Sequence, residues 1–355
     1  MSRLKVVSLL LVSAVLLSLV GCAPAPTQAP AAATQAVEQP TQPVPATQMA
    51  QPTQAEQTAA PQVTQAKYTF GMAVHANPSV DPFWAVVLRG AQDAADTYGV
   101  TLKAGGSSQP SEQATLVEDY VASKVDGIFV SLANPDAMKD AVASAVNAGI
   151  PVITINSGLT VWKQFGALTH VGQDESIAGQ GAGDKWNELG AKYVLCVIHE
   201  EANVGLQQRC DGLKQTFKGT VENFSVASTG VANPSATTTA IQNKLIATPE
   251  IDAIMTLNPL IAITALDAIK ANNSSQMLAT FDLSPDVLND ISAGTIQFAI
   301  DQQQYLQGYL PVVLLYLYDY NLNVVGGGQP VLTGPGFVTK DNAAQVLKYS
   351  ERGTR

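Results

Sequence analysis

The chain has 355 residues, with 29 Asp and Glu against 19 Lys and Arg and a formal net charge of -10. No basic run or patch occurs, which argues against nucleic acid as a partner. The stretch from residue 67 to the end is long enough for two domains of ordinary size.

In chain order, Arg3 and Lys5 precede an apolar run over 6–20 that only Ser8, Ser13 and Ser18 interrupt, and Leu19-Val20-Gly21-Cys22 follows. A charged start and a short apolar core mark an export signal. The ending is similar to the bacterial lipobox, in which the Cys is diacylated and becomes the first mature residue. The run is too short to span a bilayer comfortably, so 1–22 reads as a cleaved signal and Cys22 as a lipid anchor. Residues 23–66 are mostly Ala, Pro, Thr, Gln and Val, with Glu38 and Glu56 the only charges and no aromatic residue. Such a segment cannot bury enough surface to order itself and reads as a disordered tether. The expected location is extracytoplasmic, lipid-anchored to the cell membrane.

The remainder reads as repeated βα units. Strands are predicted over 68–74, 100–103, 126–132 and 151–155, with helices over 82–98, 111–123 and 136–148 between them. Asp81 then Pro82 suits a helix start and Gly99 a helix stop. The strands are continuously apolar, as in a parallel sheet covered on both faces. After His170 the pattern restarts. Helices are predicted over 176–189, 205–218, 235–247, 260–271, 285–292 and 304–320, and strands over 193–198, 224–227, 252–257, 277–281 and 295–300. One sheet of so many strands is implausible, so the fold class is α/β with two doubly wound parallel-sheet domains.

Open α/β sheets bind ligands beyond the carboxyl ends of their strands. That rule selects His75, Asn77, Asp81, Phe83 and Trp84, then Ser107, Asn134, Asn156 with Ser157, Glu200 with Glu201, Asn258, Asp282, and Asp301 with Gln302. Amides, hydroxyls, carboxylates and two rings match a neutral polyhydroxylated ligand, while the scarcity of Lys and Arg argues against phosphates. Structural roles compete at several positions. His75 could bond backbone, Asp282 could cap a helix, and His170 reads as structural. His199-Glu200-Glu201 resembles an acid/base cluster, but no His-Glu-x-x-His spacing supports a metal site. Cys196 and Cys210 remain once Cys22 is lipidated. An even remainder in an exported chain suggests one disulfide; two buried free thiols is the alternative.

Several motifs together give a resemblance: Asp81-Pro82-Phe83-Trp84, Gly149-Ile150-Pro151-Val152-Ile153-Thr154-Ile155-Asn156, Arg209-Cys210-Asp211-Gly212-Leu213, Phe281-Asp282, and Asp301-Gln302 followed by Gln307-Gly308. In order and spacing they resemble the type I periplasmic binding proteins, within the ribose/galactose-like branch that feeds ABC transporters. The resemblance implies that Asp81 hydrogen-bonds a sugar, that Phe83 and Trp84 sandwich it, and that Asn258, Asp282 and Gln302 are polar contacts. Asn156-Ser157 stands where the family usually has Asp-Arg, and Gln207 where it has a helix Arg. The ligand expected is therefore a different polyol, a cyclitol or a deoxysugar, not a ribose-like aldopyranose. The expected ligand-binding set adds His75 and Asn134.

The resemblance further implies a three-segment hinge with crossings near 170–173, 302–304 and 328–333. It divides the chain into an N-terminal lobe of 67–172 and 303–330 and a C-terminal lobe of 173–302 and 331–345. The expected protein is a monomeric binding lipoprotein, not an enzyme, that needs no cofactor or metal. It closes on its ligand by a hinge and delivers it to an ABC permease. Alternatives are a ligand-sensing component for a membrane kinase or chemotaxis system, a receptor for a nucleoside or signalling furanose, and an enzyme using His199 and Glu200. A related repressor is disfavoured, since no DNA-binding module precedes Tyr68.

Overall fold

A computed structural model describes residues 68–226 and 230–355. The signal, Cys22 and tether expected over 1–66 lie outside the described residues, as does Ala227 at the end of one expected strand.

Two six-stranded sheets form the frame. The first has the strands β1 (Thr69–Val74), β2 (Thr101–Gly106), β3 (Gly127–Ser131), β4 (Val152–Ile155) and β5 (Thr169–Gln173). The helices α1 (Pro82–Tyr98), α2 (Pro110–Ala122) and α3 (Pro135–Asn147) alternate with them. The second sheet has β6 (Tyr193–Ile198), β7 (Thr220–Ser225), β8 (Ala253–Thr256), β9 (Met277–Phe281) and β10 (Phe298–Asp301). Its helices are α4 (Glu175–Leu189), α5 (Val204–Thr216), α6 (Pro234–Ala247), α7 (Pro259–Ala271) and α8 (Pro285–Ala293). The chain closes with α9 (Gln304–Asn321), β11 (Val331–Gly334), β12 (Gly336–Thr339) and α10 (Ala343–Ser350).

The strand orders are β11-β5-β4-β3-β1-β2 and β12-β10-β9-β8-β6-β7. Each strand of one sheet therefore has a counterpart in the other: β1 with β6, β3 with β8, β4 with β9, β5 with β10. Pairing is parallel throughout the first sheet, and in the second only β12 runs antiparallel, against β10. The inner strands are buried on both faces, which accounts for their unbroken apolar sequence. Side chains cap the helices at the strand ends. Phe83 N donates to Asp81 Oδ1 at 2.8 Å, Ala137 N to Asn134 at 3.2 Å and Leu260 N to Asn258 at 2.8 Å.

Two helices change lobes. α4 follows a strand of the first sheet but packs on α5 of the second lobe, and α9 follows a strand of the second sheet but packs on α1 of the first. Both pairs depend on glycine for close approach. A Cβ at Gly308 would overlap the Val87 carbonyl oxygen, and one at Gly212 would overlap that of Ser176. Among the described residues no helix is long and apolar enough to cross a membrane.

The structure corrects several expectations. Residues 170–173 are no crossing: they belong to β5, and the chain leaves the first lobe only beyond Gln173. The late crossing falls after Gly334, because Val331–Gly334 adds to the first sheet beside β5. Residues 331–334 therefore pair in the first lobe. The strand expected over 295–300 starts only at Phe298, since Gly294 (φ 86°) ends α8 in a left-handed turn. Cys196 on β6 and Cys210 on α5 form a disulfide, which settles the choice against free thiols.

Candidate functional site

The carboxyl ends of the two sheets meet around a cavity whose empty volume between the walls is about 350 Å³. The first lobe supplies His75 after β1, Asp81, Phe83 and Trp84 at the start of α1, and Asn156 with Ser157 after β4. The second lobe supplies His199 and Glu200 after β6, Asn203, Gly205, Leu206 and Arg209 around the start of α5, Leu257 with Asn258 after β8, and Asp282 after β9. Asn156 (φ 58°) and Asp282 (φ 69°) occupy equivalent positions, and both backbones are left-handed. Strained residues held at a strand end typify ligand clamps, and the Asx side chain tolerates that conformation best after glycine.

Phe83 and Trp84 touch each other at right angles, with centroids 5.0 Å apart and planes at 85°. No ligand fits between them. They form one angled apolar wall, not the two halves of a sandwich, and their far sides join the core of the first lobe. The His75 ring meets Trp84 edge-on at 4.9 Å.

Polar side chains join the lobes. Gly205 N donates to Asn203 Oδ1 at 3.0 Å, which fixes the amide so that Nδ2 faces His75 Nε2 at 3.2 Å and Glu200 Oε2 at 2.7 Å. His75 Nε2 is then an acceptor, so its proton sits on Nδ1 and is donated to Ser131 Oγ at 2.7 Å. Ser157 Oγ donates to Asn203 Oδ1 at 3.3 Å, Asn258 Nδ2 to Asp81 Oδ2 at 3.4 Å, and Val204 N to the Ala133 carbonyl at 3.0 Å. The conformation is thus closed, with first-lobe groups bonded to second-lobe groups across the cavity.

Behind the cavity lies an amide relay. Gln302 Nε2 donates to Asp282 Oδ1 at 2.7 Å, while its Oε1 accepts from Asn156 Nδ2 at 3.1 Å and from Gln307 Nε2 at 2.8 Å. Arg209 is 4% exposed and carries the one buried cation of the site. Its guanidinium forks onto Glu175, with Nη2 to Oε1 at 3.1 Å, donates to the Leu257 carbonyl at 3.3 Å, and lies over the Phe281 ring at 4.5 Å. Asp282 Oδ2 is 3.8 Å from its Nη1.

Burial dominates the protonation states. It pushes Asp282 up to about 7, against the pull of Arg209, and Asp81 up to about 6, with Glu200 adding to the rise. It also lowers His75, and lowers His199 to about 4. Burial would raise Glu200, but His75, His199, Asn203 and Arg209 together draw it below its ordinary value. The cavity therefore presents neutral imidazoles, amides, two carboxyl groups that hold their protons more tightly than usual, and the ionised carboxylate of Glu200. Its one strong cation is already paired.

Of the eleven residues expected to contact ligand, His75, Asp81, Phe83, Trp84, Asn156, Ser157, Asn258 and Asp282 line this cavity, as does Glu200 from the wider strand-end set, whereas Asn77, Ser107, Glu201 and Asp301 of that set do not. Three of the eleven do not either. Asn134, the counterpart of Asn258, caps α3 and lines an adjoining chamber of about 480 Å³ that shares His75, Glu200 and Asn203. Gln302 sits behind the cavity in the relay. Gln207 turns away and donates to the Glu201 carbonyl at 3.3 Å. The arginine of this helix is Arg209 instead, about 200° further round. Its signal was the apolar set Leu206, Cys210 and Leu213, which marks the buried face beside it. His199 and Asn203 were not among the expected ligand contacts. Among the described residues, no group of three or more His, Cys, Asp or Glu is placed to hold a metal ion.

Residues 71–319 match the periplasmic binding protein domain. The xylose/arabinose-binding protein XylF of Sulfolobus acidocaldarius is 27% identical over 77% of this chain and 71% of its own length. The ribose import binding protein RbsB of Haemophilus influenzae is 28% identical over 66% of this chain and 80% of its own. Among solved structures, a carbohydrate transporter from Acidothermus cellulolyticus in complex with myo-inositol is 43% identical. It superposes with a TM-score of 0.79 and covers 82% of this chain and all of that one. A solute-binding protein from Burkholderia graminis in complex with D-arabinose shares the fold at 22% identity, with a TM-score of 0.69. The chain therefore belongs to the periplasmic binding protein family, on its sugar-binding, ABC-importer branch.

Proposed function

We propose that this protein captures a small neutral cyclitol, of which inositol is the type, between its two lobes and hands it to an ABC permease. The observation that carries the reading is the cavity wall: an angled aromatic surface on one side, and on the others a ring of amides, hydroxyls, neutral imidazoles and carboxyl groups, with Glu200 the readily ionised one. A cyclitol has apolar C–H faces and a belt of hydroxyls, which match the two kinds of wall. Asn156-Ser157 carries no charge where a ribose-type site would have an Asp-Arg pair, and the Arg209 guanidinium is already paired with Glu175. The 43% identical neighbour in complex with myo-inositol points the same way. The protein works as a binding protein without catalysis or cofactor, and as a monomer. Its lobes are 67–173 with 303–334 and 174–302 with the closing segment from β12, and they close about the crossings between them.

Titration calorimetry of the purified protein against inositol isomers, pentoses, hexoses and nucleosides tests this reading. Binding of an inositol well ahead of ribose and arabinose is expected. Preference for a pentose or a nucleoside, or no heat with any member, would remove its basis. Lipid anchoring at Cys22, with residues 23–66 as spacer, completes the proposal. Metabolic labelling with a fatty acid should mark the wild type and leave Cys22→Ser unlabelled; equal labelling of both would exclude the anchor.

A further inference from the structure

His75 and His199 stand at the same place in the two lobes. Each directly follows the matching strand, β1 in one sheet and β6 in the other, and each lines the cavity. Their surroundings differ. Both nitrogens of His75 are engaged, Nδ1 with Ser131 and Nε2 with Asn203. His199 is 4% exposed, yet its buried Nδ1 has no hydrogen-bond partner among the described residues. Buried polar atoms without partners are uncommon in folded proteins and call for an explanation. Here the orphan belongs to a cavity residue with Glu200, Arg209 and His75 as its charged or titratable neighbours.

We propose that His199 is a specificity-determining contact whose ring reads one hydroxyl of the bound polyol. A neutral imidazole offers one donor and one acceptor, and a hydroxyl offers both in return, so an OH group of the bound polyol gives this cavity-lining ring a partner that the described residues do not supply to its Nδ1. A site built to bond a hydroxyl rejects an analogue lacking it, because the buried partner is then left unpaired again. His75 cannot do this, since its Nδ1 is committed to Ser131 within its own lobe and its Nε2 to Asn203 across the cleft. The inference rests on the cyclitol reading and adds which side chain discriminates.

The test measures myo-inositol and its monodeoxy analogues, by calorimetry, on the wild type, His199→Leu and His199→Asn. His199→Leu should weaken myo-inositol binding tenfold to a hundredfold, and His199→Asn, which keeps a donor and an acceptor, less. The wild type should reject one deoxy analogue by a similar factor. His199→Leu should bind that analogue and myo-inositol almost equally, while still discriminating the other positions. In ¹⁵N-histidine spectra of the wild type, the His199 ring nitrogens should shift on addition of myo-inositol. A variant that discriminates every deoxy position as the wild type does, or a His199 signal that stays put while the ligand binds, would overturn the inference and leave the cyclitol reading standing. A wild type with no affinity for any inositol would bring down that reading itself. Should His199→Leu fail to fold, the ¹⁵N shift and the His199→Asn series still decide the matter.

Discussion

The two lobes share a strand order but fill equivalent positions with different chemistry. The cleft face of the first lobe has Asp81 as its one carboxyl group and is otherwise neutral: His75 on Ser131, Gln113 donating to the carbonyls of Ala73 and Ser131, and Asn156 in the amide relay. The second lobe places a buried ion pair there, Arg209 with Glu175, sets Asp282 where the first has Asn156, and ties β6 to α5 by a disulfide. A shared scaffold thus leaves the first lobe to supply the aromatic wall and the second to supply charge and rigidity. The contrast also fixes where each perturbation should act.

The largest effect is expected at Arg209. Arg209→Ala strands Glu175 and Asp282 as buried carboxylates and should cost about 3–5 kcal/mol in denaturant unfolding of the ligand-free protein. No loss would mean that the second lobe does not depend on its ion pair. Next comes pH. Asp282 is raised to about 7, so the folded form holds its proton more tightly than the unfolded chain does. Its contribution is complete below about pH 4 and disappears as pH rises through about 7, a change on the order of 4 kcal/mol. Asp282→Asn should therefore gain stability relative to the wild type between pH 4.5 and pH 8. His199, lowered to about 4, acts with the opposite sign, its contribution being lost as pH falls from about 6.5 towards 4. A pH-independent difference between wild type and Asp282→Asn would show that this carboxyl group does not titrate as described.

A disulfide-free variant, Cys196→Ser with Cys210→Ser, opens a loop of sequence separation 14 and should lose about 2–4 kcal/mol. Hydrogen exchange should show the loss concentrated in the second lobe; uniform loosening of both would break the contrast between them. The smallest effects are expected from Gly308→Ala and Gly212→Ala, about 1–3 kcal/mol each, since each wedges apart one tight helix pair. Equal and modest losses would show that the lobes are alike where their packing is alike. A loss at only one site would show that the second pair of helices can adjust.

Much of this was legible in the residues. Continuous apolar runs such as 277–281 and the caps at Asp81 and Asn258 follow from local rules, and strand ends selected most of the cavity lining. Three kinds of feature were not legible. β11, β12 and α10 are short and lack a strong period, and β5 carries His170 and Gly172, which break the apolar signal. The choice between Gln207 and Arg209 depended on helix phase, which the buried Leu206 and Cys210 set only once the sheet is in place. Asn134 and Asn258 look alike in sequence, each an Asn-Pro after a strand. In the folded chain Asn258 lines the main cavity and Asn134 the adjoining chamber, a difference the local sequence does not carry.

The exchange of α4 and α9 between lobes has a consequence for biosynthesis. The sheet of β1 to β5 leaves the ribosome first, yet the helix that covers α1 and the strand that pairs with β5 are encoded only after β6 to β10 of the second sheet. The early half must therefore wait with the α1 face exposed, and the later half, though α4 and α5 emerge in immediate succession, still waits for β12 and α10 at its edge. A nascent chain stalled before residue 304 should leave both halves open to protease, with the uncovered α1 face of the first still recognised by chaperones.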